Sequence, residues 1–179
     1  TTWQLPFNLN KCSVIHYGKN NQKHNYNLGE GALSEAKEEK DLGVTFTEDN
    51  RFQTHIRKIT NKANSRVGII RKSFSKLNKK SFLHIYKAQI RPLLEYCSSI
   101  WFPITRNEIN EIEKVQRRAT KLVKCIRNKP YEDRLKYLNL KTLHFRRCRT
   151  DMIQVFRIFK NYDHLNPDDF FKLATNERT

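Results

Sequence analysis

Few residues in this chain have the type and spacing that chemistry needs. Asp168-Asp169 is the only adjacent aspartate pair. Paired carboxylates can hold two metal ions for phosphoryl transfer. Here they follow Asn166-Pro167, which reads as a helix start. Asn is the cap, Pro takes the first helical position, and the acids sit on the positive dipole end. Capping accounts for the pair without catalysis. His144 and Cys148 stand four residues apart, a spacing that could place two metal ligands on one helix face. Cys148 also belongs to an apolar series, so a buried thiol is the expectation. The chain has no Gly-rich phosphate loop, no His-Glu-x-x-His and no Gly-x-Ser-x-Gly. No metal or other cofactor is expected for this chain. The four cysteines, Cys12, Cys97, Cys125 and Cys148, are widely spaced with no Cys-x-x-Cys. They read as free thiols in a reducing compartment.

Charge is the stronger signal. The 179 residues carry 35 Lys+Arg against 18 Asp+Glu, a net of +17. Residues 1–50 hold 5 bases and 7 acids, residues 51–160 hold 28 and 7, and residues 161–179 hold 2 and 4. The whole surplus therefore lies in the middle of the chain. Seven acids cannot neutralise 28 bases, and a self-repelling surface destabilises a compact fold. A polyanionic partner is the expected reason, with nucleic acid favoured over an acidic membrane surface. Apolar residues make up 37% of the chain, enough for a core. No apolar run approaches the roughly 18 residues of a membrane span. The sole methionine is Met152 and the chain opens Thr1-Thr2-Trp3, so a piece of a longer reading frame is expected.

The elements that must position these charges fall in two regimes. Residues 10–47 read as short strands. Lys11–Tyr17 has a β-branched centre and stops at Gly18, and His24–Leu28 alternates before Gly29 and Gly31. Lys40–Phe46 alternates again, with Leu42, Val44 and Phe46 on one face. A small antiparallel unit is the expectation. From residue 51 the period turns helical. Phe52, Ile56, Ile59, Ala63, Val67, Ile70, Phe74 and Leu77 form one stripe, with Lys58, Lys62 and Arg66 in a row off it. A second helix over about 79–100 carries Phe82, Tyr86, Ile90 and Leu93 inward, and Pro92 should kink or split it near 88–91. A third spans about 107–128, with Ile109, Ile112, Val115, Ala119, Leu122 and Ile126 inward. A short helix near 131–138 follows. The last, about 141–161, has Phe145, Cys148, Met152, Val155 and Phe159 as its apolar stripe. The fold class is mainly α (α+β): a small antiparallel β unit followed by a basic helical bundle.

The order of motifs carries a resemblance. Trp3-x-x-x-Phe7-Asn8-x-x-Lys11-Cys12-x-Val14 is followed by Tyr26-x-Leu28, Lys40-Asp41-Leu42-Gly43-Val44, His55-Ile56 and Lys62-Ala63-Asn64. Then come Arg91-Pro92-Leu93-Leu94-Glu95-Tyr96, Trp101-x-Pro103 and Ile112-Glu113-x-Val115-Gln116-Arg117-Arg118-Ala119-Thr120-Lys121. The series resembles the C-terminal part of the reverse transcriptase of non-LTR (LINE-type, jockey-like) retrotransposons, from residue 3 to about 160. The resemblance implies the end of the palm over 1–50, a thumb-like bundle over 51–128 and connection helices over 129–179. Lys11 resembles the lysine of the post-catalytic palm motif, placed in related polymerases to assist pyrophosphate departure; a strand cap is the plainer alternative. Leu42, Gly43 and Val44 resemble the primer-grip hairpin. The family's aromatic-Ala-Asp-Asp hairpin, which binds two magnesium ions, belongs upstream of Trp3. Magnesium is therefore expected only for the complete polymerase, and this chain alone is expected to be inactive.

The expected activity is to hold a primer–template duplex, RNA or RNA/DNA hybrid, by its backbone. The candidate phosphate contacts are Lys58, Lys62, Arg66, Arg71, Lys72, Arg117, Arg118, Lys121, Lys124, Arg146, Arg147 and Arg149. The resemblance further implies a nuclear setting and upstream palm and fingers from the same polyprotein as partners, with no membrane. The rival expectations are a domesticated protein-interaction scaffold and a decayed transposon remnant.

Overall fold

The computed structural model describes residues 8–173. Trp3 and Phe7 lie outside the described residues. Asn8 caps a 3-10 turn, Leu9–Lys11, in which Lys11 is exposed. Six short strands follow: β1 Ser13–Val14, β2 Asn27–Leu28, β3 Gly31–Ala32, β4 Ser34–Glu35, β5 Glu38–Asp41 and β6 Val44–Thr47. They form three two-stranded ladders rather than one antiparallel unit, and β1–β4 is parallel. The expected strand Lys11–Tyr17 shrinks to two residues.

The longest ladder, β5–β6, closes at Leu42-Gly43, with φ of 43° and 89°. Two central residues at positive φ suit the right-handed twist of a hairpin, and Gly adopts that region without a Cβ penalty. The turn corrects the expected alternation. Leu42 is 82% exposed, while Val44 packs into the core against α1, Gln53–Ser73.

Ile56, Ala63, Val67 and Ile70 of the α1 stripe are buried as the period requires. The helix stops at Ser73, so Phe74 leaves it in an extended conformation and is 47% exposed. Leu77 is buried beyond the helix end. The second helical region is broken as Pro92 demands. It runs as α2, Lys79–Ile85, then a π turn, Tyr86–Ile90, then α3, Arg91–Glu95, with Pro92 in its first turn. Proline lacks the N–H for the carbonyl one turn back, and a π register absorbs that mismatch.

Helix α4, Arg106–Thr120, starts at a capping box in which Thr105 and Glu108 satisfy each other's backbone N–H groups. It ends earlier than its apolar series, and a 3-10 turn, Lys124–Ile126, carries Ile126 into the core. Helix α5, Tyr131–Leu138, begins after Pro130 and ends on left-handed Asn139. Helix α6, Leu143–Phe159, is capped by Thr142. Asn166 caps only a 3-10 turn, Pro167–Asp169, and accepts from the Asp168 N–H at 3.3 Å.

One hydrophobic cluster runs from Val44 to Leu143, with Trp101, Tyr86 and Phe82 as its largest members. Helix α6 docks on it in an inverted sense. Leu143, Arg147 and Ile158 are buried, whereas Phe145, Met152, Phe156 and Phe159 face outward. Cys148 is exposed too, which corrects the expected buried thiol. Arg147 can occupy the inner row because it donates to the Leu94 carbonyl and lies over the Trp101 ring, although its buried Nε has no hydrogen-bond partner among the described residues.

Candidate nucleic-acid interface

The last turns of α1 and the end of α4 enclose a groove of about 470 Å³. Val67 and Leu122 give it apolar walls, and Gly68 leaves space between them. Arg71, Arg118, Lys121, Lys124 and Arg127 line it, and among the described residues no carboxylate does. The Arg118 guanidinium donates to Asn64 Oδ1 at 2.8 Å, which fixes its direction. Among the described residues, Arg71, Lys121, Lys124 and Arg127 make no ion pair. Both α1 and α4 end here. Each C-terminus carries about −0.5 of an elementary charge, so two answer only about one of the five cations. The rest form an uncompensated positive field in a concave site, the condition under which phosphate is attracted.

The groove brings together four of the expected contacts, Arg71, Arg118, Lys121 and Lys124. It adds Arg127, which the sequence reading missed. The signal was present: Arg118, Lys121, Lys124 and Arg127 recur every three residues, the spacing that aligns side chains in 3-10 geometry. The remaining candidates lie elsewhere. Lys62 and Arg66 are exposed in a row with Lys58, about 120° and about 160° around α1 from Gly68 at 3.6 residues per turn. Lys58 pairs with Glu38 of β5, and Lys72 is exposed at the end of α1. Arg117 lies over the Tyr131 ring, 4.4 Å from its centroid. Arg146 pairs with Glu95 through two nitrogens. Arg147 is 2% exposed, donates to the Leu94 carbonyl and stacks 5.1 Å from the Trp101 ring, and burial pushes its pKa down. The expected phosphate contact at Arg147 is thereby corrected: the side chain is a core strut. Arg149 is exposed on α6, away from the groove lining.

Behind the groove a polar network holds α4 in place. Glu113 accepts from Tyr131 Oη and, at 2.9 Å, from the Leu143 N–H. Gln116 accepts from Tyr86 Oη and donates to Tyr131 Oη at 2.8 Å and to the Lys141 carbonyl at 3.1 Å. Burial raises the pKa of both Tyr86 and Tyr131, so each hydroxyl stays protonated. Arg134 donates to the Arg117 carbonyl and to Thr120 Oγ1, both at 2.7 Å, and so ties down the last turn of α4. That turn presents Arg118 and leads to Lys121.

The primer-grip-like residues sit at the β5–β6 turn. Tyr96 Oη donates to the Leu42 carbonyl at 3.0 Å, and its ring lies 3.3 Å from where a Cβ on Gly43 would be. Val44 is buried. His55 anchors the same hairpin: its Nδ1 accepts from the Thr45 N–H at 3.2 Å, and its ring meets Trp101 edge-on at 5.0 Å. Burial lowers the His55 pKa, and the Lys58 charge adds to the effect.

Among the described residues, no three His, Cys, Asp or Glu side chains form a metal-binding group. His144 Nε2 and Cys148 Sγ are 3.8 Å apart and exposed. No described helix is long and apolar enough to cross a membrane. Comparison with family models, curated proteins and solved structures found no match.

Proposed function

We propose that this chain is the thumb-and-connection part of a LINE-type reverse transcriptase and grips primer–template nucleic acid by its backbone. The observation that carries the reading is the α1–α4 groove, lined among the described residues by five cations and no carboxylate. Backbone contacts of this kind position a duplex without reading its sequence. The reading assigns grip, not polymerisation, to these residues, with the magnesium-binding aspartates supplied by upstream palm of the same polyprotein. A nuclear setting follows from the same resemblance. The motif order supports the family reading, and the contact between Tyr96 and the Leu42 carbonyl joins two of its strings. The test is binding of the chain to a labelled RNA/DNA hybrid over a salt series, with single strands as controls. The expected result is a preference for the hybrid and a log–log slope near −4.5, from about five neutralised phosphates at about 0.9 each. Weak, shape-blind binding with a slope near −1 would overturn it.

A second reading, a protein-interaction scaffold, has one observation in its favour. Phe145, Met152, Phe156 and Phe159 are exposed on one face of α6. Exposed apolar patches of this kind mark contact surfaces. Undiminished partner binding by a chain lacking the groove cations would favour it.

A further inference from the structure

We infer that the α1–α4 groove takes one unpaired nucleotide, its phosphate among the cations and its base against Phe74. The inference deepens the reading above and rests on it only for a nucleic-acid strand as the source of that nucleotide.

Three observations converge. The first is shape. A cavity of about 470 Å³ falls within the roughly 300–1,000 Å³ of small-ligand sites. It is a recess that admits an inserted group, whereas a closed base pair offers its phosphates only from a convex rod.

The second is Gly68. It lies inside α1, its φ is not positive, and an added Cβ would meet nothing within 4 Å. Nothing inside the fold requires glycine there, although glycine is a poor helix former. Its consequence is open space midway along the groove.

The third is Phe74. It continues the apolar stripe of α1, yet it is 47% exposed and lines the groove beside Arg71. An aromatic face beside a cationic recess is the arrangement on which unpaired bases stack. Arg118, already oriented by Asn64, supplies a planar fork for phosphate oxygens.

Phosphate and base could come from a free nucleotide or from the unpaired end of a strand. The chemistry is shared, and the probes separate the sources. Binding is measured by fluorescence anisotropy and calorimetry for the full chain with three probes. They are adenosine 5′-monophosphate, a blunt RNA/DNA hybrid, and the same hybrid with a short single-stranded template overhang. The variants are Gly68→Met, which fills the recess but keeps all five cations, and Phe74→Ala.

The wild-type chain should prefer the overhang hybrid to the blunt one. Gly68→Met should weaken overhang binding at least about ten-fold, and by several-fold more than it weakens blunt-hybrid binding. Phe74→Ala should weaken overhang binding by about five-fold or more, as expected for loss of one stacked base. Circular dichroism should show Gly68→Met at least as helical as the parent, since methionine favours helix over glycine. Unchanged overhang binding in Gly68→Met overturns the inference. Equal weakening of blunt and overhang probes also overturns it, and leaves the duplex-grip reading standing. If neither hybrid binds the parent, the grip reading fails by itself. Monophosphate binding that Gly68→Met abolishes would then support the site with a free nucleotide as source, and no monophosphate binding would overturn it.

Discussion

Glu113 offers the sharpest test of how the bundle is held. Its carboxylate is nearly buried and takes hydrogen bonds from Tyr131 Oη and the Leu143 N–H. Truncation in Glu113→Ala orphans both donors in the interior, at about 1–3 kcal/mol each. The space left by the side chain adds to that, so a total near 4 kcal/mol is expected. That is a large share of the roughly 5–15 kcal/mol that stabilises a domain. Urea unfolding followed by far-ultraviolet circular dichroism reads it directly. At an m value of about 2 kcal/mol/M the midpoint should fall by roughly 2 M. Glu113→Gln, which keeps the shape and one acceptor oxygen, should lose about 1–2 kcal/mol. Combined with Tyr131→Phe it should show coupling of about 1 kcal/mol or more, because the two side chains share one hydrogen bond. A midpoint for Glu113→Ala within about 0.5 M of the parent, with additive double mutants, would refute the network as the clamp on α4.

Other outcomes follow from single residues. His55 accepts the Thr45 N–H only while Nδ1 is unprotonated, and its folded-state pKa lies below the ordinary value. The unfolded chain therefore binds the proton first, and stability should be full above about pH 6.5 and decline as the pH falls below it. Urea midpoints between pH 7.5 and 5 should show that decline, and His55→Gln should flatten it; identical pH profiles would contradict the role. Leu42 sits at a φ of 43° in the hairpin turn, where Asn is favoured over Leu. Leu42→Asn should raise stability by about 0.5–1 kcal/mol in the same assay. Arg147→Ala should destabilise by about 2–4 kcal/mol through a lost strut and an orphaned Leu94 carbonyl, whereas Arg149→Ala should stay within about 0.5 kcal/mol. Equal effects of the two on stability would contradict the burial of Arg147.

The helical half of the fold was largely legible in the sequence, because its signals are local. Pro130 and Asn139 bracket α5, and Pro92 locates the break between α2 and α3. The α1 stripe is legible to Ile70, but its period continues through Phe74 although the helix stops at Ser73. The β region was less so. Asp41-Leu42-Gly43 mimics an alternating strand, and only pairing with β6 turns Leu42 outward. Helix α6 was misread in its facing. Periodicity defines two faces, and which one docks depends on what α3 and Trp101 offer; here they offer partners for Arg147. The residues behind the resemblance divide in an unexpected way. Glu113, Gln116, Thr120, His55 and Trp101 are core members, and Glu95 and Tyr96 hold neighbours in place. Within the Gln116–Lys121 string, Arg118 and Lys121 reach the groove. A distinctive string can thus record how a bundle is locked as much as what it touches.

The salt dependence of binding is the most direct test of the groove as the phosphate contact. Arg71→Ala, Lys121→Ala and Lys124→Ala together should remove about three phosphate contacts without touching the core. The slope of log K against log salt for the RNA/DNA hybrid should then flatten by about 2.7, and affinity should fall while the urea midpoint holds. An unchanged slope in the triple variant would show that the hybrid, if bound, lies on another face.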